Sequence, residues 1–270
     1  MRNIQKKSSH TLTTQTMMLD ASYSSQAATL TAEQYAERML ARRTKAEAYF
    51  KLLPSELSGL ADSQMEKLEP KICRALHDIE MINTNWEHVL KPDELLGQEF
   101  NETSASLWPC SRSTGSLLHA LVLCLRPKLI LELGTSAGYS TLWMANACRK
   151  TGSRIKTVEY LEAKVALAAK YFEQCSVRDI VTQLHDDIRH TLSTWKSESP
   201  DFVFMDANKE WQKHYLQLLS AIIRPGSIII TDNAFDNHDI TLEFLRDIQL
   251  EYWTVFAAVD GAGTLISIKR

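Results

Sequence analysis

Acidic and amide side chains stand at the ends of two apolar segments in the second half of this 270-residue sequence. Asp206 ends one segment, and Asp232 with Asn233 ends the next. Lys209 follows Asp206 by three residues, about one helical turn further on. If the two segments are neighbouring parallel strands, the two carboxylates and the amide oxygen converge, and such oxygen ligands suit Mg²⁺ or Ca²⁺. Because two buried acids would otherwise repel each other, the pattern predicts a divalent-cation site beside a lysine.

Three earlier apolar segments also end in residues that could contact a ligand. The first leads into a glycine turn, in which Gly134 and Gly138 allow a tight turn and close approach of a ligand to the next helix. This GxxxG spacing differs from the GxGxxG fingerprint of dinucleotide-binding proteins. The second segment ends at Glu159, which is placed to accept hydrogen bonds from ribose hydroxyls. The third ends in the acidic pair at 186–187, where an adenine edge would lie.

Each of these residues also has a plain structural interpretation. The glycine turn could bind no ligand, and Glu159 and the pair at 186–187 could be solvated turn acids. Asp206 and Asp232 could be helix N-caps, and Lys209 could be a solvated helix lysine. The five strand ends taken together favour one ligand site over these separate interpretations.

The elements that position these residues alternate regularly after Pro109. Helical periodicity at 113–125, 137–150, 161–174 and 209–223 separates short apolar strands. Strands that are apolar on both faces and alternate with helices indicate a parallel sheet covered on both sides. The last two strands are joined by a short turn and should form an antiparallel hairpin. The prediction is an α/β protein with a doubly wound, mostly parallel sheet of strands at 128–133, 154–159, 180–184, 202–206, 227–232, 252–257 and 264–268.

The front of the chain has a different pattern. Helical periodicity runs over about 31–60, interrupted by Pro54, and again over 63–82. These two segments are predicted to be accessory helices without a core of their own. The first 29 residues are rich in Ser, Thr and Gln and lack the apolar run of a secretory signal, so a disordered tail is predicted, with a transit peptide as the alternative. The predicted organisation is a tail at 1–29, a helical cap at 30–104 and an α/β domain at 105–270.

Composition excludes several classes of protein. The 30 basic residues against 33 acidic ones give a net charge of −3, without the basic surplus of a general nucleic-acid binder. The longest apolar stretch, 117–125, is too short to span a bilayer. The five cysteines are scattered without CxxC spacing, which indicates neither a zinc site nor a disulfide framework. We therefore expect a reducing, cytoplasmic location and no nucleic-acid or membrane partner.

Five segments resemble a known family, the class I, S-adenosylmethionine-dependent, cation-dependent O-methyltransferases of the caffeoyl-CoA and catechol types. The resemblance covers roughly residues 105–270, and its most specific part is DANK followed by DN at the next strand end. It implies a Rossmann-like methyltransferase fold of seven strands with an antiparallel last strand. The matching segments are ILELGTSAGYSTLWMA at 130–145, Glu159, DFVFMDANK at 201–209, PGSIIITDN at 225–233 and DGAGTLISIK at 260–269.

The resemblance also implies a cofactor site. Glu132, Gly134 and Ser140 would cradle the methionine part and backbone of S-adenosylmethionine. Glu159 would hold the ribose hydroxyls, and Asp187 would lie against the adenine.

For the reacting end, the resemblance makes Asp206, Asp232 and Asn233 the ligands of a divalent cation. Mg²⁺ is expected, with Ca²⁺ or Mn²⁺ as alternatives. Lys209 would be the general base, so Lys209 and Asp206 are the expected catalytic residues. The acceptor would be a hydroxyl of a small molecule, a catechol-like vicinal diol, and a homodimer is expected because relatives often are dimers.

Four features depart from the family pattern. Asn208 stands where the family often has Asp, Asp236 lies near the Trp of the plant enzymes, Cys110 stands where those enzymes have Thr, and the third strand ends in His-Asp-Asp at 185–187 instead of the usual Gly-Asp-Ala. Asn208 and Asp236 would line the acceptor side, and features that bind coenzyme A are not visible. Two alternatives stay open: a methyltransferase-fold protein that binds without catalysis, and a nucleotide-dependent oxidoreductase, which would want GxGxxG and no metal triad.

Overall fold

The computed structural model describes residues 59–84, 106–234, 244–246, 248 and 251–270. The predicted tail at 1–29, the predicted helix at 31–60 up to residue 58, Asp236 and the loop at 235–240 lie outside these ranges.

Two helices precede the sheet in the described part of the chain. Helix α1 spans Leu60–Met65 and α2 spans Pro70–Thr84. The sequence predicted one helix over 63–82, and the structure interrupts it before Pro70, because proline has no amide hydrogen and disfavours helical geometry in the preceding residue. The two helices and the turn between them share the main core instead of forming one of their own. Their buried residues in it are Met65, Leu68 of the turn, Ile72, Ala75, Leu76 and Ile79.

Helices and strands then alternate as predicted. Most observed boundaries lie within one or two residues of the predicted ones, and the segment predicted as a helix over 209–223 begins with a 3₁₀ turn. A short helix, α6, was not predicted, because six residues are too few to show a period. The elements are α3 Arg112–Leu125, β1 Leu129–Leu133, α4 Tyr139–Thr151, β2 Arg154–Glu159, α5 Glu162–Gln174, β3 Val181–His185, α6 Ile188–Ser193, β4 Phe202–Met205, the 3₁₀ turn Lys209–Trp211, α7 Gln212–Ile222, β5 Ile228–Asp232, β6 Tyr252–Ala257 and β7 Thr264–Lys269.

The seven strands form one sheet in the order β3-β2-β1-β4-β5-β7-β6. Strands β1 to β5 are parallel to one another, and β7 runs antiparallel to both β5 and β6. Leu133 pairs with Met205, and Met205 pairs with Thr231, so the ends of β1, β4 and β5 lie side by side. The predicted doubly wound sheet with its antiparallel hairpin is confirmed.

Both faces of the central strands β1, β4 and β5 are buried, whereas much of the edge strand β6 is exposed. One face, which includes Ile130 and Ile230, packs on residues of α2 to α5, and the other packs on α6 and α7. Because side chains alternate along a strand, Glu132 and Asp232 lie on the same face as Ile130 and Ile230. No helix of the described residues is long and apolar enough to cross a membrane.

Candidate active site

The turn between β1 and α4 depends on two glycines with positive φ angles, 101° at Gly134 and 85° at Gly138. A Cβ atom at Gly134 would lie 2.6 Å from the carbonyl oxygen of Asp206, so glycine lets this turn pack on the strand end that carries Asp206. A Cβ atom at Gly138 would lie 2.6 Å from the ring of Phe172. The positive φ angles confirm the predicted tight turn, and each glycine leaves room for a neighbouring part of the protein. The close approach of a ligand to the start of α4 stays a prediction.

Glu132 is buried in β1 and fully engaged by hydroxyl groups. Its Oε1 accepts a hydrogen bond from Ser140 Oγ at 2.5 Å, and its Oε2 accepts bonds from Thr157 Oγ1 at 2.6 Å and from Thr141 Oγ1. Burial raises the pKa of Glu132 to about 7, against the opposing effect of these three hydrogen bonds. The carboxyl thus ties the first turn of α4 to β1 and β2.

Glu159 supports the same turn from the end of β2. Its Oε2 accepts the backbone N–H of Ser136 at 2.8 Å, and its Oε1 accepts those of Tyr160 and Leu161 at 3.0 and 2.9 Å. Glu159 is buried, so the interpretation as a solvated turn acid is wrong. The carboxylate joins the glycine turn to the start of α5.

The acidic pair after β3 has partners within its own segment. Asp187 is the N-cap of α6, accepting the backbone N–H of Arg189 at 2.7 Å. The Arg189 guanidinium beside it holds the pKa of Asp187 below its usual range. Asp186 accepts hydrogen bonds from His190 Nδ1 and Thr191 Oγ1, both at 2.8 Å. The adenine contact of Asp187 stays a prediction.

Asp206 and Asp232 come together as the sequence predicted for neighbouring strand ends. Asp206 directly follows Met205, the last residue of β4, and Asp232 is the last residue of β5. Met205 pairs with Thr231 in the sheet. Asp232 is buried and accepts a hydrogen bond from Thr264 Oγ1 at 3.2 Å. Burial and then the charge of Asp206 raise the pKa of Asp232 to about 8.

Lys209 lies against Asp206 instead of extending into solvent. Its Nζ donates to Asp206 Oδ1 at 2.7 Å, and the two side chains are only 14% and 16% exposed. The turn that begins at Lys209 is capped by Asn208, whose Oδ1 accepts the backbone N–H of Glu210 at 3.0 Å. Asp206 is therefore not the cap of this turn, and Lys209 is not a solvated helix lysine.

The predicted metal ligands were tested against the donors that the structure brings together. Asn233 follows Asp232 with a left-handed backbone, at φ 58°. Among the described residues, no group of three or more His, Cys, Asp or Glu side chains is arranged to hold a metal ion. The set of Asp206, Asp232 and the Asn233 amide, which contains only two carboxylates, stays a prediction.

Asp260 lies in the hairpin turn at this end of the sheet, and no sequence pattern indicated a role for it. Its Oδ2 accepts hydrogen bonds from Ser111 Oγ at 2.5 Å and Thr114 Oγ1 at 3.1 Å, and its Oδ1 accepts two backbone N–H groups of its own turn. It thereby fixes the start of α3 next to Cys110. Burial and the charges of Asp232 and Asp206 raise the pKa of the Cys110 thiol.

Comparison with known proteins agrees with this geometry. A family profile described as "Methyltransferase domain" matches residues 131–234. A catechol O-methyltransferase of Niastella koreensis is 33% identical over 159 residues, which cover 58% of this chain and 72% of the relative. A catechol O-methyltransferase of Mycobacterium tuberculosis is 31% identical over 133 residues, covering 49% of this chain and 60% of that protein.

The fold also matches solved structures. The SAH-bound methyltransferase of Podospora anserina superposes with a TM-score of 0.61 at 21% identity, covering 81% of this chain and 98% of the other. At this identity the likeness concerns the fold alone. With the sequence relatives, it leads to one conclusion: the chain belongs to the S-adenosylmethionine-dependent class I O-methyltransferases, the family of the catechol and caffeoyl-CoA enzymes, and is an enzyme of that class.

Proposed function

We propose that this enzyme transfers the methyl group of S-adenosylmethionine to a hydroxyl of a small aromatic molecule that carries two adjacent oxygens, with the help of a divalent cation. The observation that supports this most is the pairing of Asp206 and Asp232 at adjacent strand ends, with Lys209 Nζ 2.7 Å from Asp206. The two relatives compared above, at 33% and 31% identity, are both named catechol O-methyltransferases.

The residues present fit a divalent cation. Asp232 is buried beside a second carboxylate, and burial together with the charge of Asp206 raises its pKa, so a cation that neutralises this pair would be favoured. Asp206, Asp232 and the Asn233 amide offer oxygen donors only, which favours Mg²⁺, with Ca²⁺ or Mn²⁺ as alternatives. When bound, the cation would neutralise the carboxylates and favour ionisation of the acceptor hydroxyl.

The cofactor side also fits its proposed ligand. Glu159 Oε2 accepts one backbone N–H and can accept a ribose hydroxyl as a second donor. Helix α4 begins at Gly138, which provides no side-chain cap, so backbone N–H groups at its N-terminus can receive the methionine carboxylate. Gly134 keeps this turn close to Asp206, while Glu132 fixes the position of Ser140. Asp187 is proposed to face the adenine.

Lys209 is the proposed base because it lies beside the proposed acceptor site. Without a cation, its ammonium group donates to Asp206 Oδ1. A cation held by Asp206 would weaken this ion pair and favour loss of one ammonium proton from Nζ to solvent, and the neutral amine could then accept the proton of the acceptor hydroxyl. The sulfonium methyl of S-adenosylmethionine is already electrophilic, so the remaining task of the protein is to align oxygen and methyl carbon about 3 Å apart.

We further propose a cytoplasmic homodimer that acts on a small molecule and binds neither nucleic acid nor membrane. The five cysteines are free, which supports a reducing compartment. The homodimer rests on family likeness alone.

The proposal is tested by incubating the protein and labelled S-adenosylmethionine with a panel of aromatic vicinal diols and matched mono-hydroxy compounds, with and without EDTA. We expect label transfer to the diols, its loss in EDTA and its recovery with Mg²⁺. Transfer that is undiminished by EDTA would overturn the proposed need for a cation. Preference for the mono-hydroxy compounds would overturn the proposed class of acceptor.

A further inference from the structure

The guanidinium of Arg189 lies between a carboxylate and an aromatic ring. Its Nε is 3.0 and 3.1 Å from the two carboxylate oxygens of Asp187, a terminal nitrogen also contacts Oδ2, and the backbone N–H of Arg189 donates to Oδ1. On the other side, Cζ lies 4.4 Å from the centroid of the Trp211 ring. A hydrogen-bonded ion pair and a cation–π contact together hold a guanidinium in one orientation better than either contact alone.

The two partners of Arg189 belong to opposite ends of the proposed site. Asp187 follows β3, where the adenine is expected, and Trp211 ends the 3₁₀ turn that begins at Lys209 after β4. Strands β3 and β4 are not neighbours, because β2 and β1 lie between them. Arg189 therefore bridges the adenine end and the lysine end of the site.

The turn that carries Lys209 needs such a support. It is only three residues long, so its own hydrogen bonds fix it weakly; they include Trp211 N–H to the Asn208 carbonyl at 3.2 Å. The side chain of Trp211 also contacts His214 edge to face at 5.9 Å between ring centroids. The stack on Arg189 ties this turn to a part of the protein outside its own segment.

The contacts of Asp187 make the bridge sensitive to the cofactor. Its two oxygens already accept three N–H groups of Arg189, of which Nε–H is shared between both oxygens, and the backbone N–H of His190 also bonds to this carboxylate. These donors fill the usual capacity of a carboxylate, so an adenine amino group that donates to Asp187 would displace part of the Arg189 contacts. Arrival of the cofactor would then change the stack on Trp211.

We propose that Arg189 is a positioning residue that sets the Lys209–Trp211 turn and transmits occupancy of the adenine end to it. This inference rests on the proposed function of Lys209 and Asp187. If the inference is correct, loss of the Arg189 side chain lowers kcat without raising the KM for S-adenosylmethionine. Arg189→Met should lower kcat about tenfold, because a small displacement of a catalytic group is costly. The KM for S-adenosylmethionine should stay unchanged or fall, because the variant leaves Asp187 free to accept from adenine.

The test combines kinetics with tryptophan emission during titration with SAH. Wild type should show a saturable emission change that Trp211→Phe abolishes and Arg189→Met reduces at least about threefold, while Arg189→Lys restores part of it. Arg270→Met is the matched control, since it removes a similar stack on Trp253, at 5.2 Å, at the end of the β6–β7 pair remote from Asp232. It should change neither kcat nor the signal.

Two outcomes would overturn the inference: an unchanged kcat in Arg189→Met, or an SAH-induced signal that persists in it at full size. A fall in kcat accompanied by a rise in the KM for S-adenosylmethionine and by lower thermal stability would also overturn it, because the contact would then only hold α6 and α7 together. Failure of the proposed function would look different, because Lys209→Met would then turn over at the wild-type rate, whereas the emission signal does not depend on turnover.

Discussion

Two pairs of carboxylates at the strand ends differ in what surrounds them: Glu132 and Glu159 on the proposed cofactor side, and Asp206 and Asp232 on the proposed acceptor side. Glu132 receives three hydroxyl donors, and Glu159 receives three backbone N–H groups. Asp206 contacts the ammonium of Lys209, and Asp232 receives one hydroxyl, from Thr264, and the backbone N–H of Asn233. The protein itself thus surrounds the first pair with donors, while the second pair has few.

The difference separates two ways of building a binding site. Carboxylates that already accept several hydrogen bonds keep their orientation before a ligand arrives, which lowers the cost of binding it. The acceptor pair instead brings two negative charges together in a buried place, which favours a bound cation over the empty site. The proposed cofactor side therefore has its carboxylates held in place by the protein, and the proposed acceptor side would be completed by an ion.

The strongest test of this difference is Asp206→Ala. It should remove a proposed ligand and the partner of Lys209 together, lowering methyl transfer by more than about 10⁴-fold, since such electrostatic help amounts to several kcal/mol. Affinity for SAH, measured by calorimetry, should change by less than about tenfold, or ~1.4 kcal/mol.

The exposed Asp179 provides the matched control, and Asp179→Asn should leave both quantities unchanged. Full activity of wild-type protein in EDTA would contradict the view that the acceptor side needs an ion.

A somewhat smaller loss is expected for Lys209→Met, which keeps the length of the side chain but removes its base and charge. We expect kcat to fall by about 10²–10⁴-fold, the span typical of a positioned acid–base group. Cation and SAH binding should be nearly intact, and part of the rate should return at high pH, where the acceptor ionises without help.

Lys213→Met, at an exposed position one turn further along the same segment, is the control for this variant. A wild-type rate in Lys209→Met at neutral pH would show that the lysine serves only as the partner of Asp206.

Much of this architecture could be predicted from the sequence, because strand alternation and glycine turns are local signals. The observed β2 and β6 have the predicted bounds, and the hairpin is as expected. The residues that carry polar chemistry at the strand ends were found for the same reason. The packing of α1 and α2 on the main core fits their expected role as accessory helices, while the domain boundaries stay predictions.

The sequence did not show what surrounds these residues, because the partners come from distant segments. Thr157, a donor to Glu132, belongs to the next strand, and Asp260 reaches Ser111 across 149 positions. The contact between Gly138 and Phe172 depends on how α5 packs, which periodicity does not specify. The fork of Arg189 on Asp187 is local, only two residues apart, and could have been considered from the sequence.

On the cofactor side, Glu159→Ala should weaken SAH binding by at least about tenfold. A hydrogen bond to a charged group contributes about 1.5–3 kcal/mol, and the variant also removes the support of the glycine turn. Cation binding should change little, because the acceptor side has its own carboxylates. Calorimetric titrations with SAH and with Mg²⁺ measure both.

Glu162→Ala, at an exposed position in the first turn of α5, is the control. Unchanged SAH affinity in Glu159→Ala would mean that this carboxylate only shapes its turn.

The smallest effect concerns Glu132 and the dependence of stability on pH. Burial raises its pKa to about 7, whereas an unfolded glutamate titrates near about 4.3. Between these values the folded protein binds a proton that the unfolded chain has released. The contribution of Glu132 to stability is thus full below about pH 4 and is lost as the pH rises towards 7.

Glu132→Gln is neutral at every pH and does not have this dependence. The free energy of unfolding of the wild type relative to this variant should therefore fall by about 1–3 kcal/mol from pH 4.5 to pH 7.5, because one pKa unit corresponds to about 1.4 kcal/mol. Denaturant melts without cofactor measure the difference, and Glu162→Gln should show none. Parallel curves for the wild type and Glu132→Gln would mean that the three hydroxyl groups stabilise the charged carboxylate as well as water does, and that the cofactor side is even better preformed than its pKa indicates.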